Sequence, residues 1–466
     1  MTLAIVLLLL IAGSLLFHWF SPWWFTPLAS NWSSIDETIS TTIWVTGVVF
    51  VVVNLFLAYA IFRYRHQGSA SKPSLYEPEN KKLEWQLIAV TTVGIVVLLA
   101  PGLYSWAKVI DAPADAAVVE VVGKQWYWSY RFPGKDGVLG TVNARHISDT
   151  NPFGLNPDDP NGRDDILISS QELHLPLGKP VRILLRSTDV LHDFAVAQFR
   201  VKMDFVPGMV TSLWLTPKTV GSFDILCEEL CGVGHFAMRG KVVVEDEQAF
   251  QTWLERFPTY AQSTVPVAGN AAAGRQLYAV CSACHGEQAQ GNATLHAPKL
   301  SGQPAWYLTR QLGYFKQGVR GIHPDDQFGR MMAPMAASLV TDAAVNDVVA
   351  YIGTLPDTPA QPTLSPLATG GKKAYATCAA CHGADGQGVQ AMHAPRLAGM
   401  SDWYLVTQLK NFKSRMRGAH PGDLFGTQMA LMAGMLPDDA GIDNVVVYIN
   451  SLGKSGEIAS RQNVTH

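Results

Sequence analysis

Twelve residues, CEELCGVGHFAM at 227–238, hold two cysteines, a glutamate, a histidine and a methionine. Two thiols four residues apart among soft neighbours suit a disulfide, a zinc ligand set or a copper site. Methionine is a poor zinc ligand, and a bare disulfide gives Met238 and His235 nothing to do. Thiolate, imidazole and thioether together select copper. Cys227, Cys231, His235 and Met238 still need a second imidazole, and STDVLHDFAV offers His192 in what reads as a loop between strands. Two cysteines, two histidines and a methionine are too many for one tetrahedral ion. They match a pair of coppers bridged by two thiolates, which shares one electron with little geometric change.

The other four cysteines lie in CSACH (281–285) and CAACH (378–382). C-x-x-C-H is a c-type haem attachment pattern: Cys281 and Cys284, or Cys378 and Cys381, add to the haem vinyl groups, and His285 or His382 faces the iron. A disulfide, a thioredoxin-like motif or half a zinc site would leave each histidine unexplained. Met332 and Met429 each fall 51 residues past the first cysteine of their motif, and His/Met ligation raises a haem potential into the range of an electron carrier. Met335 and Met432 repeat as well, but M-x-x-x-x-x-x-L spacing resembles small class I cytochromes c and selects Met332 with Leu339 and Met429 with Leu436. The repeated pairs His296/His393 and His323/His420 read as structural or as neighbours of a haem propionate.

These sites need elements to hold them. The two haem motifs sit in a duplication with a constant offset of 97 residues, as in HAPKLSGQPAWYLTRQL against HAPRLAGMSDWYLVTQL. Helical spacing in AAVNDVVAYIGTL and AGIDNVVVYINSL makes each copy mostly α, with domains expected at 270–355 and 367–455 and a Pro-rich linker between. Around the copper-type motif, short Val, Ile, Trp and Tyr runs separated by Gly and Pro turns predict an antiparallel β-sandwich at 113–256, with 133–165 as a long surface insertion. A linker at about 257–272 is long enough for the first haem domain to fold back on the sandwich.

Three uncharged stretches, 2–20, 41–62 and 85–107, each approach the ~20 residues that span a bilayer. The last two form a transmembrane hairpin within 31–112. The first, within 1–30, is an extra helix or a signal segment, and its lack of an early Lys or Arg favours a retained helix. The loop at 63–84 carries Arg63, Arg65, Lys72, Lys81 and Lys82, so it faces the cytoplasm and everything past about residue 108 lies outside. All six cysteines then occupy an oxidising compartment. Hydrophobic residues make up 48% of the chain and charged ones 16%, which points to the lipid bilayer as a partner; a net charge of −3 without a basic run excludes nucleic acid.

With its hairpin, GKQWYWSY, VKMDFVPG and C-x-E-x-C-x-x-x-H-x-x-M, the chain resembles subunit II of haem–copper cytochrome c oxidases, in the caa3-like form fused to cytochrome c. The resemblance implies a cupredoxin-like sandwich and a binuclear CuA centre. Cys227 and Cys231 bridge its coppers, His192 and His235 are terminal ligands, Met238 is axial on one copper, and the Glu229 carbonyl serves the other. It further implies that the Glu229 side chain reaches a magnesium ion at the subunit interface, that electrons enter at Trp126, and that Glu84 stands at the mouth of a proton channel. The implied partners are catalytic subunit I, subunit III and a cytochrome c or another small redox donor. The implied place is a bacterial inner membrane, with copper and haem domains on the periplasmic side. Two haem domains rather than one, and an additional apolar segment, depart from the commonest pattern. A CuA-containing nitric oxide reductase uses a similar subunit and is the alternative reading. A nitrous oxide reductase is disfavoured, because it needs a histidine-rich cluster that the scattered remaining histidines do not form.

Overall fold

The computed structural model describes residues 2–21, 26–65, 79–148, 151–264, 269–365 and 370–462. Lys72, most of the basic loop and parts of both linkers lie outside them.

Three long apolar helices come first: α1 (Thr2–Phe20), α2 (Ser33–Arg63) and α3 (Lys81–Ile110). α1 packs on α2, and α2 on α3. Leu9, Phe56, Val90 and Val96 still point outward, as suits helices whose solvent is hydrocarbon. All three are long and apolar enough to cross a membrane.

Ten strands follow: β1 (Ala117–Lys124), β2 (Tyr127–Phe132), β3 (Ile166–Ile168), β4 (Glu172–Pro176), β5 (Val181–Ser187), β6 (His192–Val196), β7 (Val201–Phe205), β8 (Val210–Leu215), β9 (Gly221–Leu226) and β10 (Arg239–Glu245). They form two five-stranded sheets, ordered β3-β2-β1-β5-β8 and β4-β10-β9-β6-β7. Alternation drives the packing: Val181, Ile183 and Leu185 of β5 are buried while Arg182 points out. Trp128, Phe194, Phe199 and Phe205 fill the space between the sheets. The pairings β1/β5 and β4/β10 are parallel, so the sandwich is not purely antiparallel as expected.

Two further stretches gain detail here. Residues 116–132, an uninterrupted β-type run in the sequence, make two strands: the chain reverses at Gln125–Trp126, with Lys124 opposite Tyr127, and leaves Trp126 at a hairpin tip. The insertion 133–165 is not wholly superficial, because Phe153, Leu155 and Asp165 are buried. Asp165 closes an ion network in which Arg131 Nη1 lies 2.6 Å from its carboxylate. Glu120 accepts from Arg131 Nε at 2.7 Å and Arg186 Nε at 2.8 Å. Burial works against the charge of Glu120, but the two guanidinium groups outweigh it and hold its carboxyl below the ordinary range.

Helix α4 (Glu247–Leu254) caps the sandwich, and the short α5 (Tyr260–Ser263) is pinned to the insertion by Tyr260 N–H bonding Asp165 O at 2.7 Å. The first repeat then comprises α6 (Ala271–His285), α7 (Ala305–Lys316), α8 (Gln327–Ala337) and α9 (Asp342–Ile352). The second comprises α10 (Gly371–His382), α11 (Asp402–Lys413), α12 (Leu424–Gly434) and α13 (Asp439–Gln462). First and last helices cross in each, and the crossing requires glycine. A Cβ on Gly274 would fall 1.9 Å from Asp347 O, and one on Gly371 2.1 Å from Asn444 O.

The repeats face each other through the same residues used twice. Arg320 donates to Tyr404 Oη (2.9 Å), Gln408 Oε1 (3.0 Å) and its own repeat's Gln311 Oε1 (2.7 Å). Arg417, its counterpart, donates to Tyr307 Oη (3.2 Å), Gln311 Oε1 (2.9 Å) and Gln408 Oε1 (2.8 Å).

Candidate metal centre and the face that reaches it

The loop between β9 and β10 closes at its base, where Cys227 N–H bonds Met238 O. Within it the Cys227 and Cys231 sulfurs stand 3.8 Å apart, nearly twice the length of a disulfide. His235 Nδ1 lies 3.5 Å from Cys231 Sγ, and Met238 Sδ lies 3.8 Å from it. Glu229 turns its carbonyl toward Cys227 Sγ at 3.3 Å. His192 comes from β6, the strand beside β9 in the same sheet, with Nδ1 4.0 Å from Cys227 Sγ. It is the first residue of β6 rather than part of a loop, which fixes its ring more firmly than the sequence suggested. His192, Cys227 and Cys231 are buried, and their donor atoms fall within 4.8 Å of one another. Two thiols, two imidazoles, a thioether and a carbonyl converging on one small volume fit a soft metal pair.

The two thiols are shifted in opposite directions. The contact with Cys231, despite burial, pulls the Cys227 thiol well below its ordinary value. The same contact and burial push Cys231 up. On His192, burial is outweighed by Asp189, whose Oδ1 sits 2.8 Å from Nε2 and raises the imidazole. With Nε2–H donated to Asp189, Nδ1 is the lone pair left to face the sulfurs.

Three residues absent from the sequence reading complete this loop. Asp189 also accepts from Gln125 N at 2.7 Å, tying the hairpin tip to the ligand histidine. Gln125 Nε2 and Trp126 Nε1 both donate to Cys231 O, at 2.7 and 3.1 Å. Gly234 lets the Trp126 ring lie flat on the loop, since a Cβ there would fall 2.3 Å from Trp126 Cδ2.

Each haem-type motif ends its helix with a buried histidine. His285 Nδ1 and His382 Nδ1 each lie 2.8 Å from a carbonyl, of Pro298 and Pro395. That donation leaves Nε2 free for iron, and burial keeps both rings neutral by lowering them. Both crevices open into one cavity of about 790 Å³, lined by Cys281, Cys284, Cys378, Cys381, Met332 and Met429, with Trp126 at its edge. Arg310 Nε and Nη1, Arg320 Nε and Arg417 Nε are buried there with no hydrogen-bond partner among the described residues. Unpaired buried guanidinium nitrogens ask for anions, and a haem brings two carboxylates, so the pocket fits the group. Met335 is exposed and Met432 packs on the sandwich, which leaves Met332 and Met429 as the half-buried pair. His296 and His393 stack on Phe328 and Phe425 at 4.0 Å in both repeats. His323 and His420 each accept the backbone N–H two residues on, from Asp325 and Gly422. Glu84 lies exposed in the first turn of α3.

The second repeat, not the first, covers the hairpin tip. Gln428 Nε2 donates to Trp126 O at 3.0 Å, and Tyr127 Oη donates to Ala391 O at 2.9 Å. Phe425 meets Tyr127 edge-on at 5.8 Å, and Cys381 and Met432 pack against the sandwich core. The sequence could not choose between two near-identical copies. The signal it did hold is Gln428, polar where the first repeat has Met331.

Residues 117–246 match the family of the cytochrome c oxidase subunit II periplasmic domain, and 271–356 and 368–453 each match the cytochrome c family. The chain is 56% identical over 261 residues to the alternative cytochrome c oxidase subunit 2 of Bradyrhizobium diazoefficiens, a match covering 56% of this chain and 94% of that one. It is 31% identical over 242 residues to cytochrome c oxidase subunit 2 of Cereibacter sphaeroides, covering 48% of this chain and 78% of the relative. Among solved structures it is similar to the periplasmic domain of subunit II of cytochrome oxidase from Bradyrhizobium japonicum, with 28% identity, TM-score 0.23, and 31% of this chain and 96% of that one covered. It is also similar to reduced cytochrome c4 from Pseudomonas stutzeri, with 28% identity, TM-score 0.33, and 39% and 98% covered. A soft-ligand loop on a β-sandwich, three apolar helices and near-complete coverage of oxidase subunits agree: the chain belongs to the cytochrome c oxidase subunit 2 family.

Proposed function

We propose that electrons reach the copper loop of this oxidase subunit from its second cytochrome c domain, across the contact at Trp126. The family role is electron transfer within a haem–copper oxidase, with oxygen reduced on another subunit of the complex. In our reading Cys227 and Cys231 hold two coppers between them, with His192, His235, Met238 and the Glu229 carbonyl as outer ligands. Cys281, Cys284, His285 and Met332 hold one haem, and Cys378, Cys381, His382 and Met429 the other. Bound copper and haem supply the one-electron carriers. The protein's part is to fix distances: Trp126 bonds Cys231 O through its indole N–H and accepts Gln428 through its own carbonyl. That pair of hydrogen bonds is the observation that carries the proposal.

The finer assignments belong to the same reading. The partners are the catalytic subunit I, subunit III and a soluble cytochrome c as donor. The location is a bacterial inner membrane with the sandwich and both cytochrome domains on the periplasmic side, and a magnesium ion is held at the interface through the half-buried Glu229 side chain. Stopped-flow reduction tests the route. In Trp126→Phe, which keeps an aromatic ring but loses the bond to Cys231, the haem bands should be reduced at the wild-type rate and the copper band about tenfold or more slower. A copper band reduced as fast as in wild type rules the route out.

A further inference from the structure

One position on the facing helices breaks the pairing of the two cytochrome domains. Trp306, Tyr307 and Gln311 of α7 recur in α11 as Trp403, Tyr404 and Gln408, but Arg310 recurs as Thr407. The two side chains are also used differently. Thr407 Oγ1 donates to Trp403 O of its own helix at 2.8 Å. Arg310 instead reaches into the second repeat, where Nη2 donates to His393 O at 2.9 Å and the guanidinium lies 5.0 Å from the centre of the Phe425 ring. Both contacts fall on walls that hold the ligands assigned to the second haem. His393 stands two residues before Pro395, whose carbonyl fixes His382 Nδ1, and Phe425 stands about one helical turn before Met429. Arg310 also lines the shared cavity, and there its Nε and Nη1 have no hydrogen-bond partner among the described residues.

Most charges around that cavity cancel between the copies. Arg320 recurs as Arg417, Lys299 as Arg396 and Asp326 as Asp423, sign for sign. Asp325, which recurs as Gly422, is exposed and screened by water. Arg310 is thus an extra buried positive charge on the second haem's side, and a guanidinium keeps its proton when buried. Reducing a haem removes one unit of positive charge, so a fixed cation beside it favours the reduced form. We propose that Arg310 sets the second haem above the first in potential and so gives direction to electron flow within the chain. One electron leaves the first haem, which is oxidised, and enters the second, which is reduced, and no bond forms or breaks. The step runs downhill toward the domain that touches Trp126. This rests on the haem positions proposed above. At an effective dielectric of about 20, one charge across such a cavity is worth about tenfold in a one-electron equilibrium.

The test is an anaerobic optical redox titration of the purified oxidase complex, followed at the α-band of the covalently attached haems. Wild type should titrate in two separate one-electron steps. Arg310→Thr, which imports the twin's residue, should lower the upper step toward the other by about tenfold in the sharing constant, about 59 mV for one electron. Arg310→Lys should keep most of the separation, because the charge stays while the planar fork is lost. Thr407→Arg, placed by the two-fold to reach His296 and Phe328, should raise the lower step. Haem bands matching wild type report an intact pocket in each variant. An upper step that stays in place in Arg310→Thr overturns the inference, as does a lower step that Thr407→Arg leaves unmoved. An upper step that falls as far in Arg310→Lys also overturns it, since packing rather than charge is then at work. Fewer than two covalent haems per chain, counted as pyridine haemochromes, overturn the haem assignment instead.

Discussion

His192 depends on a residue three positions before it. Asp189 takes the Nε2 proton and leaves Nδ1 facing Cys227, so the carboxylate is a positioning group. Asp189→Ala should lower copper affinity ~10–100-fold with the loop still folded. His192→Ala should abolish the mixed-valence spectrum, and Met238→Leu should shift the copper potential while two coppers remain. Copper content and the near-infrared band separate these outcomes. Glu120 makes a prediction of the opposite kind, about stability. Its carboxyl is lowered on folding, so its contribution is present in full above the unfolded value, near 4.3, and is lost as pH falls from there through the lower folded value. Glu120→Gln should therefore cost ~3 kcal/mol at pH 7, since it takes the carboxylate from Arg186 and leaves Arg131 with Asp165 alone. The deficit should shrink below about pH 4, read from denaturant midpoints across pH.

At the scale of elements, the β1–β2 hairpin and the β9–β10 loop behave as one piece because Gly232 and Gly234 lie against Trp126 and leave room for the indole. Gly234→Ala forces the ring off the loop, and overpacking of this kind costs ~1–3 kcal/mol. Trp126 fluorescence should change, and reduction of copper through the second domain should slow, with copper content unaltered. The ligand set could be read from sequence because C-x-x-x-C-x-x-x-H-x-x-M compresses it into one short loop. The haem motifs were legible for the same reason. What sequence did not show were contacts between distant positions, such as Gln125 with Asp189, Trp126 with Cys231 and Trp126 with Gln428. Nothing local marks those residues. The hairpin break at Gln125–Trp126 was hidden inside an unbroken aromatic run, and the parallel β1/β5 pairing cannot be seen in strand composition. The first haem domain was expected against the sandwich because its linker is long enough to fold it back, but α5 fastens the start of that linker and the second domain takes the place.

At the scale of the molecule, the sandwich is bolted to its membrane helices. Arg200 clamps Asp36 at 2.6 and 2.9 Å, Trp32 donates to Trp214 O at 3.0 Å, and Trp214 donates to Lys108 O at 2.9 Å. These bonds join both ends of the apolar hairpin to one edge of the sheets and hold the copper loop at a fixed height. The two cytochrome domains are joined instead by the paired arginines. Arg320→Ala and Arg417→Ala should each cost ~1.5–3 kcal/mol of interdomain stability. The double variant should fall short of their sum, because both arginines share Gln311 and Gln408. Calorimetry of the three variants gives that coupling directly. A contact in which residue i of one copy meets j of the other, and j meets i, is the signature of a two-fold homodimer. Here it is built within a single chain. The junction is thus a two-fold interface closed within one chain, each domain offering its neighbour the same arginine, tyrosine and glutamine that it receives. The two-fold stops at that junction, because Gln428 and Met432 of one copy lie against the sandwich while their counterparts Met331 and Met335 lie exposed.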